Sequence, residues 1–318
     1  MKITKVNNYT FPARDAQGTQ RMLEALSKEL VKQGHEVNLL INKDSVVPKE
    51  YGKLVDKIPQ DTDIVHLHGG IPHEYGLELK DTPWISTAHG GAQDTSERMR
   101  QVGNYINNLV FVSNFCSKMY NSNCFIWNGV GVDDFVYKEK KDDFFLWMAG
   151  TDWGEGKGLF SSITIAKKLG LKLKIAGGGK NQSIIDEIKR SCNQKIEFLG
   201  FVNGKEKMEL LSNTKALLMI GNILDACPLS TIEAWASGTP IIARDLGVYP
   251  EIIRNDVGFV CSTSTDIIRS IVGVDKINPL DCRKYFLENF TSVIVANKYV
   301  KVYEQVIKSG KVNVNERP

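Results

Sequence analysis

The stretch Asp225-Ala-Cys-Pro-Leu-Ser-Thr-Ile-Glu233-Ala-Trp-Ala-Ser-Gly238-Thr-Pro240 reads as a loop, a helix over 230–237, a turn and the start of a strand over 240–243. Leu229, Ile232, Trp235 and Ala236 recur at helical spacing and give that helix one apolar face. Working outward, the same alternation covers the chain. Strand signals fall at 1–6, 35–40, 64–67, 84–87 and 109–112. A helix opens at Gly18, carries Met22, Leu23, Leu26 and Leu30 on one face and stops at Gly34. Between them a loop over 7–17 holds Pro12.

The pattern restarts after Tyr137. A charged linker over 138–143 leads to strands at 144–148, 171–176, 196–199, 216–220 and 240–243, with a helix over 159–169. An amphipathic helix over about 293–307 ends the chain. The connections are too long for hairpins, so the strands are expected to run parallel with helices on both faces. The expected fold class is α/β with two Rossmann-like domains facing across a cleft. The first spans 1–138 and the second 139–295, with the C-terminal helix, about 296–318, packing back on the first. In open α/β sheets ligands sit beyond the carboxyl ends of the strands, where the glycine and polar clusters of this chain fall.

Composition narrows the class. The 318 residues suit two domains, each large enough for its own core, and a formal net charge of +3 gives no electrostatic case for nucleic acid. Peripheral contact with the inner face of a membrane stays open. Six scattered cysteines without a CxxC pair read as reduced thiols, and neither a signal peptide nor an 18-residue apolar run is evident. The expectation is a cytoplasmic protein.

Two carboxylates mark the decisive stretch: Asp225 in the loop and Glu233 inside the helix. The helix start offers free backbone N–H groups and a positive dipole end, a seat for a diphosphate. Glu233, about one turn in, would reach a ribose hydroxyl pair, and Asp225 sugar hydroxyls. On the plainer reading Asp225 and Ser230 only cap the helix and Glu233 lies on the surface. Spacing alone does not choose between them.

This stretch resembles the paired-acid signature of the family 4 retaining glycosyltransferases (glycosyl transferases group 1): an acid, seven residues, Glu-Ala, then a small residue, Gly, x, Pro. Asp225 stands where the family usually has Glu, and Cys227-Pro228 where it often has Phe-Gly. Pro228 has no N–H, so phosphate contacts would fall to Leu229 and Ser230. Asp15-Ala-Gln-Gly18 and Gly34-His35-Glu36-Val37 resemble the family's glycine loop and the start of its second strand, with Gln17 replacing one glycine. Asp63-Ile-Val-His66-Leu-His68, Thr87-Ala-His89-Gly90, Phe111-Val-Ser113, Trp127-Asn-Gly-Val130, Ile175-Ala-Gly-Gly-Gly179 and Phe198-Leu-Gly200-Phe201-Val202 are similar to further family segments, in order.

Gly154-Glu-Gly156-Lys157-Gly158 is not a P-loop, because Thr151 and Gly158 stand where that motif needs Gly and Ser or Thr. It resembles the family's cationic turn. Lys157 matches its lysine, and Thr151 stands where an arginine is expected. Without the family context a loop lysine would read as a solvated charge. His66 and His68 share a strand face and read as packed rather than metal-bound. Cys227 has no adjacent base to make it a nucleophile.

The resemblance implies a GT-B glycosyltransferase of hexosyl type. It would move a sugar from a nucleoside diphosphate, of UDP or GDP type, to a hydroxyl of a carbohydrate or glycolipid acceptor. Retention and independence of metal are implied, and no cofactor beyond the substrate. The implied catalytic residues are His89, Asp225 and Lys157. The implied donor site comprises Gly18, Lys157, Gly200, Phe201, Val202, Asp225, Leu229, Ser230 and Glu233. Competing readings are a degenerate sugar-nucleotide binder and a sugar-nucleotide epimerase on the same fold. A nicotinamide dehydrogenase is disfavoured, since neither half has GxGxxG after its first strand.

Overall fold

Short runs such as Ile-Val-His-Leu-His and Ala-Leu-Leu-Met are buried along their whole length, as strands covered on both faces must be. In the computed structural model, which describes residues 1–12, 18–90, 101 and 103–318, these runs form two six-stranded parallel sheets. The chain folds as two compact units, one of residues 1–131 and 290–318 and the other of 132–289.

The first unit's strands are β1 (Lys2–Val6), β2 (Glu36–Leu40), β3 (Lys53–Leu54), β4 (Ile64–His68), β5 (Trp84–Ala88) and β6 (Leu109–Phe111). Their order is β3-β2-β1-β4-β5-β6. Helix α1 (Gly18–Lys32) buries Met22, Leu23, Leu26 and Leu30. Gly34, at φ +83°, ends the turn while the His35 N–H donates to the Leu30 carbonyl (3.0 Å). The C-terminal helix Ser292–Ser309 packs on α1 and β5.

In the second unit the strands are β7 (Phe145–Met148), β8 (Leu173–Ala176), β9 (Ile196–Gly200), β10 (Ala216–Met219), β11 (Ile241–Arg244) and β12 (Gly258–Cys261). Their order is β12-β11-β10-β7-β8-β9. Counted from its own first strand, this sheet has the same kind of order as the first. Each therefore reverses direction once, between β1 and β4 and between β7 and β10, and leaves a crevice there at the strands' carboxyl ends. Phe145, Trp147, Leu159, Ile163, Leu173, Ile175 and Leu218 centre the core of this unit.

Strands β3 and β12 escape the periodicity reading: one has two residues and the other begins with glycine. Helices Gln182–Ser191 and Ser264–Gly273 escape it too, although each has a sequence cap. Asn181 Oδ1 accepts from the N–H groups of Ser183 (3.1 Å) and Ile184 (3.4 Å), and Thr263 forms a capping box with Asp266. The charged 138–143 segment is exposed except at Lys141. Lys141 Nζ donates to the carbonyls of Ser212 and Ser237 (2.9 Å each) and to Thr239 Oγ1 (3.0 Å), and burial lowers its pKa to about 8.

Candidate active site

At the second sheet's reversal point the loops after β7 and β10 cross backbone against backbone. A Cβ on Gly158 would come within 2.6 Å of Gly221 N, and one on Gly221 within 2.2 Å of the Gly156 carbonyl oxygen. Only glycines permit that approach. The Asn222 and Ile223 N–H groups both donate to the Gly156 carbonyl (2.9 and 3.0 Å), and Trp147 Nε1 holds the Lys157 carbonyl (2.8 Å).

This crossing brings Lys157 onto Asp225: Nζ forms an ion pair and hydrogen bond with Oδ1, and both side chains are largely buried. Lys157 is thus no solvated surface charge. The second carboxylate oxygen, Oδ2, accepts from the Tyr249 hydroxyl at 2.5 Å. Burial first, and then the Asp225 charge, hold that phenol well above its usual pKa, so it stays a donor. Gly247, at φ +59°, lets its turn lie on the Asp225 backbone, and the Val248 N–H donates to the Asp225 carbonyl (3.0 Å). Sequence reasoning misses Tyr249, which lies 24 residues beyond Asp225 in the chain with no local pattern to mark it.

Neither Asp225 nor Ser230 caps the following helix, Leu229–Ala236. Pro228 is its N-cap, and among the described residues no side-chain cap hydrogen bond is made to its first N–H groups. Two other helices of the unit are differently served. Ser161 N–H, at the start of helix Leu159–Leu169, donates to Glu155 Oε2 (2.9 Å), and Asn181 caps helix Gln182–Ser191. Asp152 adds a carboxylate that accepts from the N–H groups of Lys180 (2.9 Å) and Asn181 (2.8 Å). The two loops after β7 and β8 are thus satisfied by the chain's own acids. Among the described residues, the helix start at Leu229 and Ser230 has no such acid.

Glu233 is not a surface residue. It has no solvent exposure and pairs with Lys207 Nζ at 2.6 Å. Lys207 lies on helix Gly204–Asn213, and nothing in the sequence singles it out. Thr151 is fully buried, and its hydroxyl has no hydrogen-bond partner among the described residues. Gly200 takes φ +72° at the end of β9; after it Phe201 is exposed and Val202 buried. The Gly177 N–H donates to the Gly200 carbonyl (2.7 Å), so the turn after β8 borders Phe201. Cys227 is buried, and Trp153 is more than half exposed.

The first unit's reversal point is built differently. His66 and His68, on β4, are buried with ring centroids 4.0 Å apart. His89, just past β5, stacks on His68 (5.5 Å) with His68 Nδ1 and His89 Nε2 3.3 Å apart. His66 contacts the Tyr303 hydroxyl and Thr87 Oγ1 (2.7 Å each), and Thr87 contacts the Tyr299 hydroxyl (2.7 Å). Lys5 is buried beneath them and donates to the Leu23 carbonyl (3.1 Å). Burial, assisted by the Lys5 charge, lowers His89 to about 3 and holds His66 and His68 well below the usual imidazole range. The three rings are neutral.

Gly18 is the first residue of α1 and is exposed, while Asp15 and Gln17 lie outside the described residues. In the loop after β4 the Tyr75 hydroxyl bonds the Gly69 carbonyl at 2.5 Å. Among the described residues no three His, Cys, Asp or Glu side chains group as metal ligands, and no helix is long and apolar enough to cross a membrane.

Residues 132–277 match the family described as glycosyl transferases group 1, a match that falls within the second unit. The uncharacterised glycosyltransferase MJ1607 of Methanocaldococcus jannaschii is 23% identical over 91% of this chain and 92% of its own length. The O-antigen chain mannosyltransferase RfbU of Salmonella typhimurium is 31% identical over 42% of this chain and 39% of its own length. Among solved structures, AviGT4, a glycosyltransferase involved in avilamycin A biosynthesis, superposes with a TM-score of 0.78 at 21% identity, covering 98% of this chain and 99% of its own. The matched segment is thus similar to glycosyl transferases group 1, and the two-sheet α/β fold is one shared with solved glycosyltransferase structures.

Proposed function

We propose that this chain transfers a sugar from a nucleoside diphosphate, of UDP or GDP type, to an acceptor hydroxyl, with retention of configuration and without a metal ion. The observation that carries the reading is the conjunction at the second sheet's reversal point. A largely buried lysine and a helix start without a side-chain cap lie on neighbouring loops, in the domain matched to glycosyl transferases group 1. The barrier to such a reaction lies in separating a diphosphate from a cation-like sugar, and fixed positive potential at the leaving group lowers it.

Lys157 would leave Asp225 for the diphosphate, joined by the N–H groups of Leu229 and Ser230. Asp225, still held by Tyr249, would turn a free oxygen to the sugar hydroxyls. Glu233 would hold the ribose, exchanging part of its Lys207 contact for the two hydroxyls. The Gly200–Val202 backbone and Phe201 would border the base. His89, neutral, would bond a sugar hydroxyl, and Gly18 would allow close approach on the acceptor side. The acceptor hydroxyl adds to the anomeric carbon as the carbon–oxygen bond to the diphosphate breaks, and its proton passes to the departing oxygen.

One observation favours a second reading, a binder without turnover: Lys157, Asp225 and Glu233 all have internal partners, and Thr151 brings no charge where the family has arginine. The test is calorimetry and thermal shift with UDP, GDP, ADP and their sugars in EDTA, beside Lys157→Ala, followed by NMR of the product anomer. Binding of one nucleotide series, weakened in the variant, with α-donor giving α-product, supports the proposal. No nucleotide binding by folded protein sinks both readings. Binding without transfer to any acceptor or to water favours the second.

A further inference from the structure

Two histidine rings at the first sheet's reversal point share one hydrogen bond, and its direction decides what the outer ring can offer. His68 Nδ1 and His89 Nε2 lie 3.3 Å apart, with the ring planes 20° apart. His68 is buried on β4, while His89, just past β5, is half-buried. Burial above all, and for His89 the Lys5 charge next, keeps both rings neutral. Two neutral rings can share such a bond in two ways, and each way fixes both tautomers. In one, His68 donates from Nδ1, its Nε2 is a bare lone pair, and His89 carries its proton on Nδ1. In the other, His89 donates from Nε2, its Nδ1 is bare, and the His68 proton sits on Nε2. The inner nitrogen chooses between them. His68 Nε2 is buried and has no hydrogen-bond partner among the described residues. Its buried neighbours are engaged elsewhere: His66 uses both ring nitrogens, on Tyr303 and Thr87, and Lys5 Nζ donates to the Leu23 carbonyl. A buried acceptor without a partner is tolerated more often than an orphaned buried N–H, so the bare Nε2 is the less costly arrangement. His89 Nδ1, which makes no hydrogen bond among the described residues, is the nitrogen left for a ligand.

We infer that His68 is a positioning residue for the proposed transfer: it donates from Nδ1 to His89 Nε2, so that His89 presents an N–H from Nδ1 to an oxygen of the sugar. His89 is then a hydrogen-bond donor and not a general base, because its one bare nitrogen is occupied by His68. This removes a candidate base for the acceptor's proton, whose passage to the departing oxygen needs none. The role of His68 rests on the transfer proposed above; the direction of its bond to His89 does not.

The test starts with the full chain labelled with ¹⁵N-histidine. The chain has five histidines, so long-range ¹H–¹⁵N correlation spectra contain five ring patterns, and the one lost in His89→Gln belongs to His89. Its Nδ1 should show the shift of a protonated nitrogen and its Nε2 that of a bare one; the reverse overturns the inference. Two variants then test the role. His68→Leu removes the donor, while His68→Asn keeps one, since an asparagine Nδ2 stands near the place of a histidine Nδ1. At saturating substrates the kcat of His68→Leu should fall roughly tenfold, the worth of one hydrogen bond, with the donor KM within about threefold of the parent's. His68→Asn should bring turnover back to within about threefold of the parent. A residue that only packs the core predicts the opposite order, with apolar leucine tolerated as well as asparagine or better. Parent turnover in His68→Leu, or no recovery in His68→Asn, overturns the inference. Should both variants fail to fold, the spectrum of the parent still decides the direction of the bond. A His89 proton on Nε2 in a protein that transfers sugar would end the role of His68 and leave the transfer standing. A proton on Nδ1 in a protein that transfers none would sink the transfer, and that role with it.

Discussion

The two sheets share one kind of strand order yet place opposite chemistries at the point where that order reverses. The first stacks three neutral histidines over a desolvated lysine; the second holds an ion pair beside a helix start without a side-chain cap. Topology supplies the crevice in both, and the loop residues decide what it does. The difference starts with glycine. Gly158 and Gly221 let two loops of the second unit touch, which brings Lys157 and Asp225 together from 68 residues apart. In the first unit the corresponding groups sit on the strands themselves: Lys5 on β1, His66 and His68 on β4.

Removing the positive charge at the second reversal point should be the largest blow. Lys157→Ala takes away the cation assigned to the leaving group and leaves Asp225 with Tyr249 alone. Transfer should fall by roughly 10²–10³-fold. Steady-state turnover with a saturating acceptor measures it. Activity within a few-fold of the parent would show that the two reversal points do not divide their labour by charge. A milder break is Tyr249→Phe, which strips the Asp225 carboxylate of its buried donor. It should cost roughly 1–3 kcal/mol of stability in chemical denaturation, and weaken donor sugar more than free nucleoside diphosphate. Equal weakening of both would mean that Tyr249 supports the fold alone.

The neutral histidines predict that acid acts unequally. Their folded pKa values lie below the unfolded value near 6.5, that of His89 at about 3. Below pH 6.5 the unfolded chain therefore binds more protons than the native one. Stability is full above that pH and is lost as pH falls towards 3, by up to about 1.4 kcal/mol per pH unit for each ring. Hydrogen exchange, corrected for intrinsic rates, should show residues 64–68 and 84–88 losing protection between pH 7 and 5 while 216–219 and 241–244 keep theirs. Equal loss in both sheets would erase the contrast.

How far the sequence shows this contrast depends on distance along the chain. Apolar runs place most strands, and the loop-helix-turn from Asp225 to Pro240 carries both acids within a few turns. What it hides are partners joined only by folding. Lys207 and Glu233 sit on separate helices, and Tyr249 lies beyond an intervening strand. The helix start is half legible. Pro228 shows that a donor is missing, but only the structure shows that neighbouring helix starts use Glu155 and Asn181 while this one has no such partner. Strand β3, with two residues, is too short for any period to register, and β12 opens on a glycine that breaks its apolar run.

The smallest expected effect concerns Thr151, where the resemblance leads one to expect arginine. Its hydroxyl is buried without a partner, and the chain packs tightly around it: a Cβ on Gly179 would fall 2.1 Å from Thr151 Oγ1. A group so enclosed is poorly placed to replace a cation. Thr151→Val keeps the shape and removes an unsatisfied polar atom, so stability should hold or rise by up to about 1 kcal/mol. Donor affinity by calorimetry should stay within a factor of about two of the parent, well short of the tenfold that about 1.4 kcal/mol represents. A marked loss of affinity would mean that the hydroxyl reaches the donor after all. The positive character of the second reversal point would then rest on more than Lys157 and a helix start.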